Sequence, residues 1–238
     1  MITRRAHSGV NPGRGRSSRR SSLALMLQAV PGVVLMGLGW GWRDLRAFLQ
    51  DPARAGLLLV LLAAAAIASA MNLNLHPLRR GTAAAPRQTL QLAILAMLSL
   101  FLLWFLPFAD RRSIWTMHAE LWRYVGLALC AAGAAIRIAA LRSLNEFFSA
   151  YVTLQPNHRL VQSGIYRSIR HPLYLSLLLA PVGVALVFKS WLALPIQLLA
   201  VIFVAERIGQ EESLLAARFG DEWKNYRART WKLIPRLI

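Results

Sequence analysis

Five polar side chains in the last third of this 238-residue chain have the types and spacing that chemistry at a charged centre requires. Arg170-His171-Pro172-Leu173-Tyr174 sets a guanidinium and an imidazole directly before a proline. Proline suits the first turn of a helix, where its missing N–H costs nothing. The free N–H groups of such a turn, with Arg170 and His171 beside them, make a site for an anion or a carboxylate. Tyr166 and Tyr174 add rings to stack on a planar group, or hydroxyls to hydrogen-bond. Further on, Arg207 and Glu211 stand four residues apart on one helix face and can pair, and Glu212 follows directly. Arg ahead of Glu is the weaker order for such a pair, so helix stability is a poor reason for it. The plainer alternatives are an interfacial anchor for Arg170–Tyr174 and a solvated helix exit for the two glutamates.

Two further motifs flank these. Gln155-Pro156-Asn157-His158 leads into Leu160-Val161-Gln162-Ser163-Gly164-Ile165-Tyr166. Pro156 disfavours helix at Gln155 and Gly164 permits a turn, which predicts a structured re-entry loop, or more simply a polar connector. Phe219-Gly220-Asp221-Glu222-Trp223, then Tyr226-Arg227, predicts a helix end at Gly220 and an amphipathic helix serving as a lid or membrane anchor. Asn145, Glu146 and Phe147 are additional pocket candidates. Arg137 lies inside an apolar block and needs a partner.

The elements that position these groups are membrane helices. Hydrophobic residues make up 56% of the chain and charged residues 16%, whereas soluble domains carry about a quarter charged. The net charge of +18 is spread between apolar blocks, which fits anionic headgroups and argues against nucleic acid as a partner. Apolar blocks run at 23–42, 55–75, 89–108, 121–141, 172–188 and 191–209. About 20 residues cross a bilayer core; the last two blocks are shorter and are predicted to form a tight hairpin across Lys189-Ser190. The first block is too long for a signal peptide and no small-x-small site follows it. Residues 1–22, rich in Arg, Ser and Gly, read as a disordered cytosolic arm. With that arm inside, 20 of the 28 Lys and Arg fall on inner segments and 7 in outer loops, which predicts six spans and two cytosolic termini. The expected class is thus an all-α integral membrane protein of about six transmembrane helices, with a cofactor pocket at the cytosolic face of its C-terminal part. Its regions would be the arm 1–22, four variable helices over 23–141 and a core over 142–238.

Other chemistries leave no signature. Gly37-Leu38-Gly39-Trp40-Gly41 has no strand before it and predicts helix packing, as does Ala131-Ala132-Gly133-Ala134-Ala135. Zinc-protease, Walker and nucleophile-elbow motifs are missing. The lone Cys130 rules out an intrachain disulfide. The terminal Pro235-Arg236-Leu237-Ile238 is no prenylation box, so the chain is expected not to be prenylated itself.

Taken in order, Leu160-Val161-x-x-Gly164-x-Tyr166, Arg170-His171-Pro172-x-Tyr174, an apolar hairpin, Glu211-Glu212 and Phe219-Gly220 resemble the isoprenylcysteine carboxyl methyltransferases and the related phospholipid N-methyltransferases. The resemblance covers about residues 140–238. It implies a membrane-embedded methyltransferase that uses S-adenosylmethionine without a Rossmann domain. Carried over by position, it implies a cofactor pocket of Gln155, His158, Leu160, Val161, Gly164, Tyr166, His171, Pro172, Tyr174 and Glu212, with Arg170 serving the pocket or its gate. Arg207 and Glu211 match positions tied to the substrate and the reacting centre. A glycine often found two residues after the motif's last tyrosine is Ser176 here.

Methyl transfer from a sulfonium is an in-line displacement, so the enzyme's task is alignment and exclusion of water. A carboxylate acceptor needs a cation such as Arg207 and no base. An amine acceptor would need a proton removed, with Glu211 as the base. The expected partners are a lipophilic or lipidated acceptor and membrane lipids. Two other classes stay open: an NADPH-dependent membrane reductase on a related scaffold, and a non-enzymatic transporter or assembly protein. The dominance of Ala, Leu and Arg suggests a bacterial inner membrane.

Overall fold

The computed structural model describes residues 30–71, 86–144 and 159–237. The N-terminal arm, Asn145, Glu146, Phe147, Gln155 and His158 lie outside the described residues. Within them the chain is helical: α1 Val30–Trp40, α2 Leu45–Gln50, α3 Pro52–Ala70, α4 Pro86–Arg111, α5 Leu121–Leu144, α6 Pro172–Val187, α7 Ala193–Phe219 and α8 Asp221–Ala228. Short 3₁₀ turns cover Trp42–Asp44 and Gly164–Arg167. Extended pairing among the described residues is confined to two isolated bridges, Thr116 with Ser190 and Ile169 with Trp231.

Local sequence sets the helix ends. Pro52 opens α3, and the Asp51 carboxylate accepts from Arg54 N at 2.8 Å, a side-chain cap for an otherwise orphaned donor. Pro172 opens α6 in the same way, with His171 at the preceding position. Gly220, at φ +51°, stops α7 in the left-handed region that glycine tolerates.

Among the described residues, four helices are long and apolar enough to cross a membrane: α3, α5, α7 and the Thr89–Arg111 stretch of α4. α1 and α6 are shorter apolar helices. At 1.5 Å per residue α6 rises about 24 Å, against a hydrocarbon core of about 30 Å. The hairpin across Lys189-Ser190 forms as expected, with Lys189 at φ +50° and its N–H donating to Leu186 O. The last apolar helix differs from the expected 191–209 block. It continues unbroken to Phe219, for 27 residues, because no proline lies between Pro195 and Phe219 and Gly209 alone does not end a helix. Glu211 and Glu212 therefore sit inside a helix and not at its exit.

Glycines bring the helices together. A Cβ on Gly126 of α5 would lie 2.5 Å from Gly183 O of α6, and one on Gly39 of α1 only 1.9 Å from Trp104 O of α4. Such backbone-to-backbone approach is how membrane helices gain van der Waals contact. The approach of α5 to α6 is made at Gly126, Gly133 and Gly183. Ser176 is buried and turns its hydroxyl back onto Leu173 O at 2.7 Å.

At the other end of α6 a buried ion cluster ties four helix ends. Asp110 of α4 accepts from Arg123 Nη1 and Nη2 of α5 at 2.8 and 2.9 Å, and from Arg54 Nη1 of α3 at 3.0 Å. Arg123 also donates to Val187 O at the end of α6 at 2.6 Å and to Glu120 at 2.8 Å. Lys189 reaches Glu120 at 2.5 Å. Around this end Trp42, Trp115, Trp122, Tyr124 and Trp191 are exposed, the distribution of an interfacial aromatic belt.

Candidate active site

The site residues gather where α6 begins, against the second half of α7. Hydrogen bonds from Arg170 N to Trp231 O (2.8 Å), His171 N to Lys232 O (3.1 Å) and Trp231 N to Ser168 O (2.9 Å) fasten the chain before α6 to the segment after α8. This strap fixes the backbone of Arg170 and His171 before their side chains enter the site.

Glu212 is the hub. Its Oε1 accepts from Arg170 Nε at 3.3 Å and lies 3.1 Å from His171 Nε2. On the other edge of the imidazole, Nδ1 lies 3.9 Å from Glu211 Oε2. His171 is almost wholly buried, Glu212 largely so, and Glu211 is the more open of the two glutamates. The His171 ring also packs on Tyr174, with centroids 5.8 Å apart. Tyr174, one turn into α6, presents its hydroxyl to both Arg207 and Glu211. Arg207 is buried on α7. A cation, a phenol and two carboxylates thus converge beside the first turn of α6, where Leu173 and Tyr174 carry N–H groups with no intrahelical acceptor.

Tyr166, in the 3₁₀ turn, closes the same region. Burial first, and then the charge of Glu211, holds its phenol well above the usual range. Its carbonyl accepts from Tyr226 OH of α8 at 2.8 Å, and burial pushes the Tyr226 phenol up to about 12. Gly164 has φ +59°, and a Cβ there would meet Ser143 Oγ of α5 at 2.2 Å, so glycine is needed for both conformation and space.

Several expectations take a more specific form. Leu160, like Phe219, packs against the buried cluster of Leu215, Trp223 and Tyr226, a supporting role away from the charged groups. Val161 is partly buried and Pro172 fully so. Arg170 is committed to the fold: besides Glu212 it donates to Arg227 O at 3.1 Å and to Thr230 O and Oγ1, capping the open carbonyls of α8. Trp223 and Tyr226 of α8 are each 2% exposed. Of the two expected roles for this helix, its aromatics fit a packed lid, since they face protein and not lipid. Arg137 makes no hydrogen bond or ion pair with another described residue.

Sequence reasoning passed over Thr230, whose Oγ1 donates to Tyr226 O at 2.6 Å and accepts from Arg170 at 3.3 Å. The available signal was its position one helical turn after Tyr226. It also passed over Gln162, which donates to Glu222 at 2.9 Å and accepts from Arg229.

Residues 125–217 match the model of the isoprenylcysteine carboxyl methyltransferase (ICMT) family. The stretch holds Tyr166, Arg170, His171, Tyr174, Arg207, Glu211 and Glu212, so the resemblance carried by those motifs stands. The chain is 31% identical over 114 residues to the protein-S-isoprenylcysteine O-methyltransferase of Tribolium castaneum, covering 47% of this chain and 41% of that one. It is 31% identical over 106 residues to the Schizosaccharomyces pombe protein of the same name, covering 43% and 45%. A probable protein-S-isoprenylcysteine O-methyltransferase of Oryza sativa subsp. indica is 30% identical over 115 residues, covering 47% and 60%. The chain thus spans about half the length of the curated relatives it matches. A solved structure of the eukaryotic intramembrane Ras methyltransferase ICMT aligns over 94% of this chain and 98% of its own, with a TM-score of 0.52 at 20% identity. The two share a membrane fold.

Proposed function

We propose that this chain is an integral membrane methyltransferase that uses S-adenosylmethionine to methylate the carboxylate of a lipophilic, isoprenylcysteine-type acceptor. The observation that carries this reading is the convergence of Arg207, Tyr174 and Glu211 beside the His171–Glu212 pair, inside the stretch that matches the methyltransferase family.

The donor set fits the cofactor by its chemistry. A sulfonium with an amino-acid tail and an adenine ring calls for carboxylates, N–H groups and aromatic rings. Glu212, the first turn of α6, and the rings of His171, Tyr166 and Tyr174 are of those kinds. When bound, S-adenosylmethionine supplies an electrophilic methyl group. Arg207 holds the acceptor carboxylate by charge-assisted hydrogen bonds, which orient the attacking oxygen along the line of displacement. Tyr174 fixes Arg207 relative to Glu211. Arg170 keeps α8 closed over Glu212 and, with the buried aromatics of α8, keeps water from the centre. A carboxylate acceptor loses no proton, so no residue has to serve as base.

The same reading assigns the core to residues 142–238, adds α1 and α6 to the four long helices as shorter crossings, and puts both termini on the cytosolic side with the site. Isothermal titration of S-adenosylmethionine, and separately NADPH, into detergent-purified protein tests the cofactor. Saturable S-adenosylmethionine binding that is lost in His171→Ala supports the reading, and binding of NADPH alone overturns it. Transfer of labelled methyl to prenylated carboxylates and to phospholipid amines then distinguishes O- from N-methylation.

A further inference from the structure

The segment after α8, residues 229–237, fastens the start of α6 from behind and turns its own side chains outward. Trp231 is 43% exposed, Ile234 42% and Leu237 73%. Leu237 N donates to Ile234 O at 3.1 Å, a turn that carries Pro235 and Arg236 at its corner. Cations interleave with these apolar groups: Arg227, Arg229, Lys232 and Arg236 follow one another, with no acid after Glu222. The three arginines are exposed and Lys232 is half-buried. Cations alone suit water, and apolar side chains alone suit a core. The two interleaved suit the boundary between anionic headgroups and acyl chains.

The level of the segment in the fold agrees. At the end of α6, Trp191 N donates to Trp115 O at 3.1 Å within the aromatic belt. Trp231 lies against the start of the same helix, where it accepts from Arg170 N. The two ends are separated by the rise of α6, about 24 Å, which is the scale of the hydrocarbon layer. Tryptophan marks both boundaries of a membrane protein, and Trp231 is the exposed tryptophan at this one among the described residues.

The same segment holds the site. His171 N donates to Lys232 O, Trp231 N to Ser168 O and the Arg170 guanidinium to Thr230 O. The charge of Lys232 reaches Glu212. A stretch with few buried apolar contacts opens at low free energy, so whatever seats its outer side chains also steadies the backbone of Arg170 and His171.

We propose that residues 229–237 form a docking surface for anionic lipid headgroups, and that seating there keeps the strap closed behind His171. The docking stands on the segment itself; its consequence for cofactor affinity rests on the methyltransferase reading. Each cation near an anionic leaflet strengthens association about five-fold, so Lys232 and Arg236 supply most of the selection by charge.

The test places full-length protein in nanodiscs of phosphatidylcholine, with and without phosphatidylglycerol, and reads hydrogen exchange at the amides of Arg170, His171 and Trp231. Exchange is expected to be about 10-fold slower with the anionic lipid. Lys232→Gln combined with Arg236→Gln should exchange alike in both discs. Should that variant not reconstitute, raised salt on wild type replaces it and should erase the difference. Equal exchange by wild type in the two discs overturns the proposal and leaves the surface to an acidic protein or a second copy of the chain. Slowing that survives both the double variant and raised salt overturns it too, because the effect would then owe nothing to these charges. S-adenosylmethionine affinity, titrated in the same discs, should rise with the anionic lipid. If exchange slows as expected but neither disc shows S-adenosylmethionine binding, the docking stands and the methyltransferase reading fails.

Discussion

His171 and Glu212 meet through a single oxygen: Nε2 of the imidazole lies 3.1 Å from Oε1, and the same oxygen accepts from Arg170 Nε at 3.3 Å. One carboxylate thus joins the start of α6, the second half of α7 and, through Arg170, the end of α8.

Replacing Glu212 by Gln keeps the shape and removes the charge that Arg170 and His171 share. Hydrogen bonds to charged groups contribute about 1.5–3 kcal/mol, so the affinity for S-adenosylmethionine is expected to fall about 10- to 100-fold. Titration calorimetry on protein whose melting temperature is matched to wild type reads this. Unchanged affinity would remove Glu212 from the cofactor site.

Tyr174→Phe deletes the hydroxyl that faces Arg207 and Glu211 and leaves the ring against His171. The expected result is a kcat about 10-fold lower with cofactor affinity unchanged, because the lost contact orients the acceptor side. Single-turnover methyl transfer, set beside cofactor titration, separates the two effects. A loss of cofactor affinity alone would contradict the assignment.

Tyr226 carries a pH prediction. Burial raises its phenol from 10.0 to about 12, so the folded chain holds that proton more tightly than the unfolded chain. Its contribution is complete below pH 10 and is lost as the pH rises from about 10 through about 12. Tyr226→Phe should lessen that alkaline decline and leave the part that the raised Tyr166 phenol contributes. It should also cost about 1 kcal/mol at neutral pH through the lost bond to Tyr166 O. Thermal unfolding at stepped pH follows both.

The ion cluster at the far end of α6 should matter for stability and not for chemistry. Asp110→Asn strips the shared partner from Arg54 and Arg123 and is expected to destabilise the fold by about 3–5 kcal/mol. Cofactor affinity of the protein that remains folded should match wild type. Asp110→Leu combined with Arg123→Met should recover much of the loss, since Arg54 keeps Asp51 and Glu120 keeps Lys189 as the charges that remain.

Much of the site was legible because its residues lie in two short stretches, 160–174 and 207–220, whose order survives in the fold. Proline and glycine marked the start of α6 and the end of α7, and composition marked the apolar helices. What escaped depends on partners far apart in the chain. The commitment of Arg170 to α8 required knowing that Trp231 lies beside Ile169. The cluster of Asp51, Arg54, Asp110 and Arg123 is scattered over 73 residues and becomes one object only when four helix ends meet. The continuity of the 191–209 block with the helix end at Gly220 was not legible, because hydropathy falls at Arg207 while helix propensity does not.

That uninterrupted helix has a kinetic consequence. At 1.5 Å per residue α7 rises about 40 Å, some 10 Å more than the hydrocarbon layer. Arg207 and Glu212 stand about 21 and 29 Å from its first residue, around the level where oil gives way to water. For the transfer we propose, one reactant arrives from a volume and the other from a plane. The acceptor's effective concentration is then its mole fraction among lipids and not its amount per litre. Adding inert lipid or detergent at constant enzyme and acceptor should slow turnover without any inhibitor present.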